Sequence, residues 1–298
     1  MTYNPEDEIE ASRAPLMDHL IELRQRLIVS VVALVICFFL CFAFAQQIYM
    51  VLLQPFEMAG RLLAAQKAIG ANHGPFDLLL AMTGYIPVPE ATSDLKLIYT
   101  APLEFFFTKM KLAGFGALVL SFPVIAWQLY RFIAPGLYRR EKMAFAPFLV
   151  AAPILFSLGA ALVYFIILPM VLWFSLSQQI LGQGGVTVEL LPKVADYLSL
   201  VMTLLLAFGL CFQLPIVVTL LGMARIVNAK LLSEGRRYAI LGIVIVAAIV
   251  TPPDPISQLM LAIPIALLYE LSIWCVRLIE MRRKDEDLDE TGTDAVPY

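Results

Sequence analysis

The sequence MDHLIELRQRL, residues 17–27, sets a charged segment directly against a long apolar run. That run extends from Leu27 to Ala45 without a charged residue. A helix of this length spans about 28 Å at about 1.5 Å per residue, close to the roughly 30 Å hydrocarbon core of a bilayer. The stretch therefore predicts a transmembrane helix whose charged first turns lie at a membrane surface.

The composition extends this prediction to the whole chain of 298 residues, of which 60% are hydrophobic and 15% charged. A soluble domain is about 45–50% apolar and about a quarter charged. Because the apolar excess lies in long runs rather than short alternating segments, we predict an all-α polytopic membrane protein, not an outer-membrane barrel. Six transmembrane helices are predicted, at Leu27–Ala45, Leu112–Phe132, Met143–Trp173, Tyr197–Leu221, Tyr238–Thr251 and Ile256–Cys275.

Two of the predicted spans have unusual lengths. The third carries three prolines, Pro147, Pro153 and Pro169, so it should bend or its ends should leave the bilayer. The fifth reaches only about 21 Å as a helix. We favour a locally thinned bilayer beside it over a fifth and sixth helix that do not span fully.

The distribution of lysine and arginine predicts the orientation. With a cytoplasmic N-terminus, the inside segments hold fifteen of the 21 basic residues and the outside segments hold six. Both termini are therefore expected in the cytoplasm (N-in/C-in). Residues 1–14 lack the basic start of a cleavable signal peptide, so the first span should be retained.

The predicted domains follow from these boundaries. Residues 1–26 form a cytoplasmic segment with an amphipathic helix, residues 27–276 the membrane domain, and residues 277–298 an acidic cytoplasmic tail expected to be disordered. The first outer loop, about residues 46–111, is long and rich in proline. It contains two amphipathic stretches, Ile48–Lys67 and Leu103–Lys111, that we expect on the outer face.

Several kinds of chemistry are not expected. All four cysteines fall inside apolar runs, where cysteine acts as a small hydrophobe, so we predict neither a disulfide nor a metal site. No P-loop pattern is present, which argues against nucleotide hydrolysis. No basic stripe with interleaved aromatic residues suggests nucleic acid, and no cofactor is predicted.

Two charged clusters lie on the predicted cytoplasmic side. On a helix, His19, Glu22 and Arg26 share one face, and Glu22 can pair with Arg26 one turn later. An interfacial anchor helix explains this pattern about as well as a binding site. The second cluster, WQLYRFIAPGLYRREK at residues 127–142, surrounds a Pro-Gly turn. Its aromatic and basic residues suit a membrane boundary, but Glu141 fits that explanation less well.

Two further positions carry polar groups of interest. Asp254, followed by Pro255, is typical of an N-cap that begins span six, and we prefer this over a direct functional role. Gln213 lies deep in span four and is followed by Pro215. Its amide needs a partner in hydrocarbon. A bond to another helix of this chain and a contact with a partner's transmembrane helix both remain open.

Five motifs together resemble TatC, the polytopic subunit of the twin-arginine protein translocase. They occur in the family's order, and the matching region covers about residues 17–276. The motifs are HLIELRQR (19–26), SFP (121–123), FIAPGLY (132–138) with Glu141, FQLP (212–215) and TPPD (251–254). The resemblance agrees with the six-span topology and implies a concave TatC-like bundle with short helices five and six.

The resemblance implies a receptor for the paired-arginine signal peptides of folded cargo proteins. The export of this cargo would be driven by the proton motive force. It implies TatA- and TatB-like single-span partners, self-association in the complex, and a location in a bacterial inner membrane. Glu22 and Glu141 would meet the arginine pair. The other implied roles are site shaping (Arg24, Phe132, Pro135, Tyr138), a groove for partner helices (Gln213, Pro215) and outer-face structure (Pro55, Pro123, Asp254).

Two departures from the family pattern stand out. Many members carry glutamate where this chain has Gln213, and an amide keeps hydrogen-bonding capacity but loses a charge. The first outer loop is also longer than usual, at roughly residues 65–95.

Two other classes of protein were weighed against the receptor. A secondary transporter commonly has polar groups at mid-membrane in both halves, whereas Gln213 has no matching partner in the other half. An intramembrane enzyme needs a catalytic set, and the two histidines, His19 and His73, both lie outside the predicted spans. The chain is therefore not expected to be an enzyme.

Overall fold

The computed structural model describes residues 5–69, 80, 97–133, 139–177, 192–224, 226–250 and 255–293. Regular structure in these ranges is helical, apart from an isolated bridge between Ile98 and Lys193. The helices are α1 (Pro5–Ala43), α2 (Ala45–Ile69), α3 (Glu104–Ile133), α4 (Arg139–Leu162), α5 (Leu168–Ser177), α6 (Val194–Cys211), α7 (Leu214–Met223), α8 (Ala229–Glu234), α9 (Arg236–Val250) and α10 (Pro255–Thr293). A π-helical turn, Val163–Ile167, joins α4 to α5.

Five helical segments in the described part of the chain are long and apolar enough to cross a membrane. They are Leu20–Ala43, Glu104–Leu129, Phe148–Leu172, Val194–Met223 and Gln258–Arg282. The predicted fifth span corresponds to α9, whose 15 residues reach about 22 Å. The described residues therefore form an all-helical, multi-span membrane protein in which α9 is shorter than any of the five candidate spans.

The centre of the bundle is the crossing of α4 with α6. Phe208, Leu204 and Val201 of α6 have no exposed surface, and neither does Val163 in the π-helical turn. Glycines allow this close approach. A Cβ at Gly159 would lie 2.8 Å from the backbone oxygen of Phe208. A Cβ at Gly209 would lie 2.6 Å from the ring of Phe156.

A proline inside α2 explains how that helix is attached to the bundle. Pro55 has no N–H, so the carbonyl of Val51, four residues earlier, loses its helical donor. The hydroxyl of Tyr164 donates to this Val51 oxygen at 2.8 Å, and the hydroxyl of Tyr197 donates to Leu52 O at 2.9 Å. The two tyrosines therefore satisfy the part of α2 that the proline disrupts.

We expect Tyr164→Phe to lower the stability of the protein by about 1 kcal/mol, because the Val51 carbonyl is left without its donor. In a Pro55→Ala background the residue 55 N–H can bond Val51 itself, so the same change should cost less. Thermal unfolding of the wild type, both single variants and the double variant in detergent measures this coupling. Equal losses in both backgrounds would contradict the proposed pairing.

Two segments differ from the sequence-based prediction. The stretch Leu103–Lys111 was expected as a separate outer-face element, but from Glu104 it forms the first turns of α3. The Glu104 carboxylate accepts from the backbone N–H groups of Thr100 at 2.7 Å and Ala101 at 3.1 Å, which fixes the helix start. Helix α10 continues to Thr293, through most of the 277–298 tail for which disorder was expected. A span that is already nucleated extends readily into residues with good helix propensity, such as Glu, Lys and Arg.

Candidate functional site

A polar cluster joins the charged turns of α1 to the last turns of α3. Arg26 Nη2 lies 2.9 Å from Glu22 Oε1, one helical turn away. Arg26 Nη1 donates to Gln128 Oε1 of α3 at 3.3 Å. The Arg26 side chain is 20% exposed and that of Glu22 is 32% exposed. The cluster is therefore ordered by contacts between helices while its carboxylate remains open to solvent.

The antiparallel packing of α1 and α3 places Phe132 beside this cluster. Arg26 meets Gln128 at one end of the pair, and Cys41 approaches Gly116 nearer the other end. Phe132 is one turn beyond Gln128, so this register puts it about level with Glu22. Phe132 is partly buried and Arg24 is exposed. A carboxylate, a guanidinium and an aromatic ring therefore occupy the same end of the helix pair.

The remaining residues of the predicted site are only partly described. Glu141 lies in the first turn of α4, but its side chain is outside the described residues. Pro135 and Tyr138 also lie outside them, as does Asp254, although α10 does begin at Pro255. The side chain of His19 is likewise not described. Among the described residues of the two predicted clusters, Glu22 contacts Arg26, and the helix register puts Phe132 at the same end of the α1–α3 pair.

Gln213 occupies the break between α6 and α7. Its side chain is buried, and Nε2 donates to the carbonyl oxygen of Ala152 in α4 at 2.8 Å. Helix α6 ends at Cys211 because Pro215, four residues on, has no N–H to offer the Cys211 carbonyl. Of the two interpretations that the sequence left open, the helix–helix hydrogen bond is present. A partner contact at this position remains a prediction.

The opposite end of the bundle is held by backbone and hydroxyl contacts. Val194 N donates to Ile98 O at 3.2 Å, and Ile98 N donates to Pro192 O at 3.3 Å. The hydroxyls of Tyr49 and Tyr99 lie 3.2 Å apart. Partial burial, together with this hydrogen bond, raises the pKa of Tyr99 above its ordinary value. Segments that are distant in sequence therefore meet at this end of the bundle.

Two proline positions from the predicted structural set are described. Pro55 is buried inside α2, and Pro123 lies exposed inside α3. Sequence reasoning did not single out Gln128 as part of the site or Glu104 as a helix cap. The sequence does indicate a role for Gln128: it precedes Phe132 by one helical turn and therefore lies on the same side of the helix. No group of three His, Cys, Asp or Glu side chains in the searched ranges is arranged to hold a metal.

Comparison with known proteins assigns this arrangement to a family. The family model for the Sec-independent protein translocase protein (TatC) matches residues 18–264. The chain belongs to the TatC family. TatC of Magnetococcus marinus is 40% identical over 286 residues, covering 96% of this chain and 92% of the relative. TatC of Escherichia coli K12 is 33% identical over 263 residues and covers 88% of each chain.

Solved structures agree with the family assignment. A crystal structure of the twin-arginine translocase receptor TatC matches with a TM-score of 0.66 and 34% identity, covering 87% of this chain and 98% of the other. A second crystal structure, of TatC in the detergent DDM, matches with the same TM-score and identity. The chain is therefore a multi-span component of a bacterial protein translocase. TatC is not a family of catalytic enzymes.

Proposed function

We propose that this chain is the signal-peptide receptor of a twin-arginine translocation complex. The observation that carries the proposal is the Glu22 carboxylate, which already holds one guanidinium, that of Arg26, at 2.9 Å. A carboxylate that accepts charge-assisted bonds from an internal arginine has the chemistry to accept them from a peptide arginine. The matched crystal structures carry the name twin-arginine translocase receptor, which supports the same role here.

The rest of the proposed site supplies a second carboxylate and an apolar wall. Glu141 in the first turn of α4 is proposed to meet the second arginine of the pair, with Arg24, Pro135 and Tyr138 shaping the site. Phe132, level with Glu22, would contact the apolar residues that follow the arginines. Lysine offers a point charge instead of a planar fork of donors, so this site should prefer arginine.

The topology proposed for this role has six spans and both termini in the cytoplasm. The fifteen-to-six distribution of basic residues supports it, and α9 would be the short fifth span. This orientation puts Glu22 on the cytoplasmic face, where folded cargo arrives. A thinned bilayer around α9 would ease the passage of cargo, and the proton motive force would supply the energy.

Single-span TatA- and TatB-like subunits are the proposed partners, and further copies of this chain would join the assembly. The proposed docking groove lies beside Gln213 and Pro215. The Gln213 amide nitrogen already donates to Ala152 O. A partner helix docked here would therefore meet an uncharged, hydrogen-bonded amide and not an ionised side chain. Residues such as Leu210 and Val217, which are exposed on either side of the break, offer apolar contact surface.

The test is binding of a fluorescent paired-arginine signal peptide to the detergent-purified protein, compared with the same peptide carrying paired lysines. We expect the lysine peptide to bind at least about tenfold more weakly, because each lost charge-assisted bond is worth about 1.5–3 kcal/mol. Glu141→Ala should reduce binding of the arginine peptide by a similar factor. Equal binding of both peptides, indifferent to Glu141, would contradict the proposed receptor site.

A further inference from the structure

A cavity of about 300 Å³ lies between the first turns of α2 and the first turns of α3. Tyr49 and Met50 line it from α2, and Phe105, Thr108 and Lys109 line it from α3. The cavity lies at the far end of α1 from Glu22, so it is separate from the proposed signal-peptide site. Nothing in the mechanism proposed above uses it.

Lys109 is the cation of this cavity. Its Nζ lies 4.8 Å from the centroid of the Phe42 ring, which holds the ammonium at the cavity wall. Within the described ranges no carboxylate lies within ion-pair distance of Lys109, whereas Arg26, Arg61 and Arg236 each have one. In the described part of the chain, the ammonium therefore has the Phe42 ring beside it and no carboxylate.

Lys109 lies near one end of the apolar span of α3. The apolar span of α3 begins at Glu104, so Lys109 lies about 7.5 Å along the helix from its polar end. The side chains of Phe105 and Phe106, four and three residues before Lys109 on the same face of the helix, are about half exposed. Aromatic rings and a lysine at the end of a span are typical of the membrane–water interface.

We propose that this cavity binds the headgroup of an anionic phospholipid. The phosphate would pair with Lys109, while an acyl chain would follow the exposed side chains of Met50 and Phe105 toward the bilayer centre. Charge complementarity selects an anionic lipid over a zwitterionic one, and the mostly apolar lining selects a lipid over a soluble anion. The site does not depend on the proposed signal-peptide function.

The test uses the whole protein in a neutral detergent, with phosphatidylglycerol and phosphatidylcholine added in native mass spectrometry. We expect phosphatidylglycerol to bind about tenfold more tightly. Lys109→Gln should abolish this preference and Lys109→Arg should keep it. Lys111→Gln is the matched control, because residue 111 is exposed and points to the opposite side of α3; it should leave the preference unchanged.

Three results would overturn the proposal. The first is equal binding of phosphatidylglycerol and phosphatidylcholine by the wild-type protein, a measurement that needs no variant. Displacement of phosphatidylglycerol by inorganic phosphate alone would show a site for a free anion. With a photo-crosslinker at residue 50 and the protein in membranes, we expect the protein to gain the mass of one lipid. A crosslinked product that contains a second protein would instead assign the cavity to a partner helix.

Discussion

Replacing Glu22 with glutamine should weaken binding of a paired-arginine signal peptide by at least about tenfold. The change keeps the size and shape of the side chain and removes its charge. It replaces charge-assisted hydrogen bonds, worth about 1.5–3 kcal/mol each, with neutral ones worth about half as much or less. Because Glu22 is only 32% exposed, solvent screens the loss only in part. Fluorescence anisotropy of a labelled peptide on the purified protein measures the effect.

Glu57→Gln is the matched control for this experiment. Glu57 and Arg61 form an ion pair with the same one-turn spacing as Glu22 and Arg26, but in α2 and more exposed. Peptide binding should be unchanged in this variant. If both variants weaken binding alike, or if neither does, the arginine pair is not recognised at Glu22.

The second large effect concerns Gly159, where we expect alanine to destabilise the fold by about 1–3 kcal/mol. The added Cβ would lie 2.8 Å from Phe208 O and 2.9 Å from the ring of Phe212. The nearest atom belongs to the backbone of α6, so no side-chain rotation relieves the contact. Helices α4 and α6 must separate, and the buried contacts at the centre of the bundle weaken with them.

Gly114→Ala should have the opposite effect, which makes it a demanding control. Gly114 is also helical, but nothing lies within 4 Å of the position that its Cβ would take. Alanine there removes the helix penalty of glycine and should stabilise by about 0.5–1 kcal/mol. Apparent thermal midpoints in one detergent compare the two variants. A Gly159→Ala protein as stable as wild type would contradict the tight packing of α4 against α6.

Much of the fold was predictable, because transmembrane helices require long apolar runs that are visible in the sequence. Leu27–Ala45 and Tyr197–Leu221 coincide closely with helical segments of the structure. No break was predicted at Gln213, although Pro215 is the residue whose missing N–H causes it. The start of α3 at Glu104 was not predicted, because its cap uses the backbone of Thr100 and Ala101 and leaves no periodic signature.

Contacts between distant segments were the part that sequence reasoning missed. The bond from Tyr164 to Val51 joins residues that no local pattern connects. The partnership of Arg26 with Gln128 depends on the register between α1 and α3. The Glu22–Arg26 pair, by contrast, was predictable, since one-turn spacing on a helix fixes its geometry without any tertiary contact.

The most direct test of the central claim is a double-mutant cycle between Glu22 of the receptor and the arginines of the peptide. Wild-type and Glu22→Gln proteins are each titrated with the paired-arginine and the paired-lysine peptide. If Glu22 meets an arginine, the variant should lose most of the preference for arginine, a coupling of about 1.4 kcal/mol or more. If the two changes instead add independently, so that the variant keeps the full arginine preference, Glu22 does not contact the arginine pair.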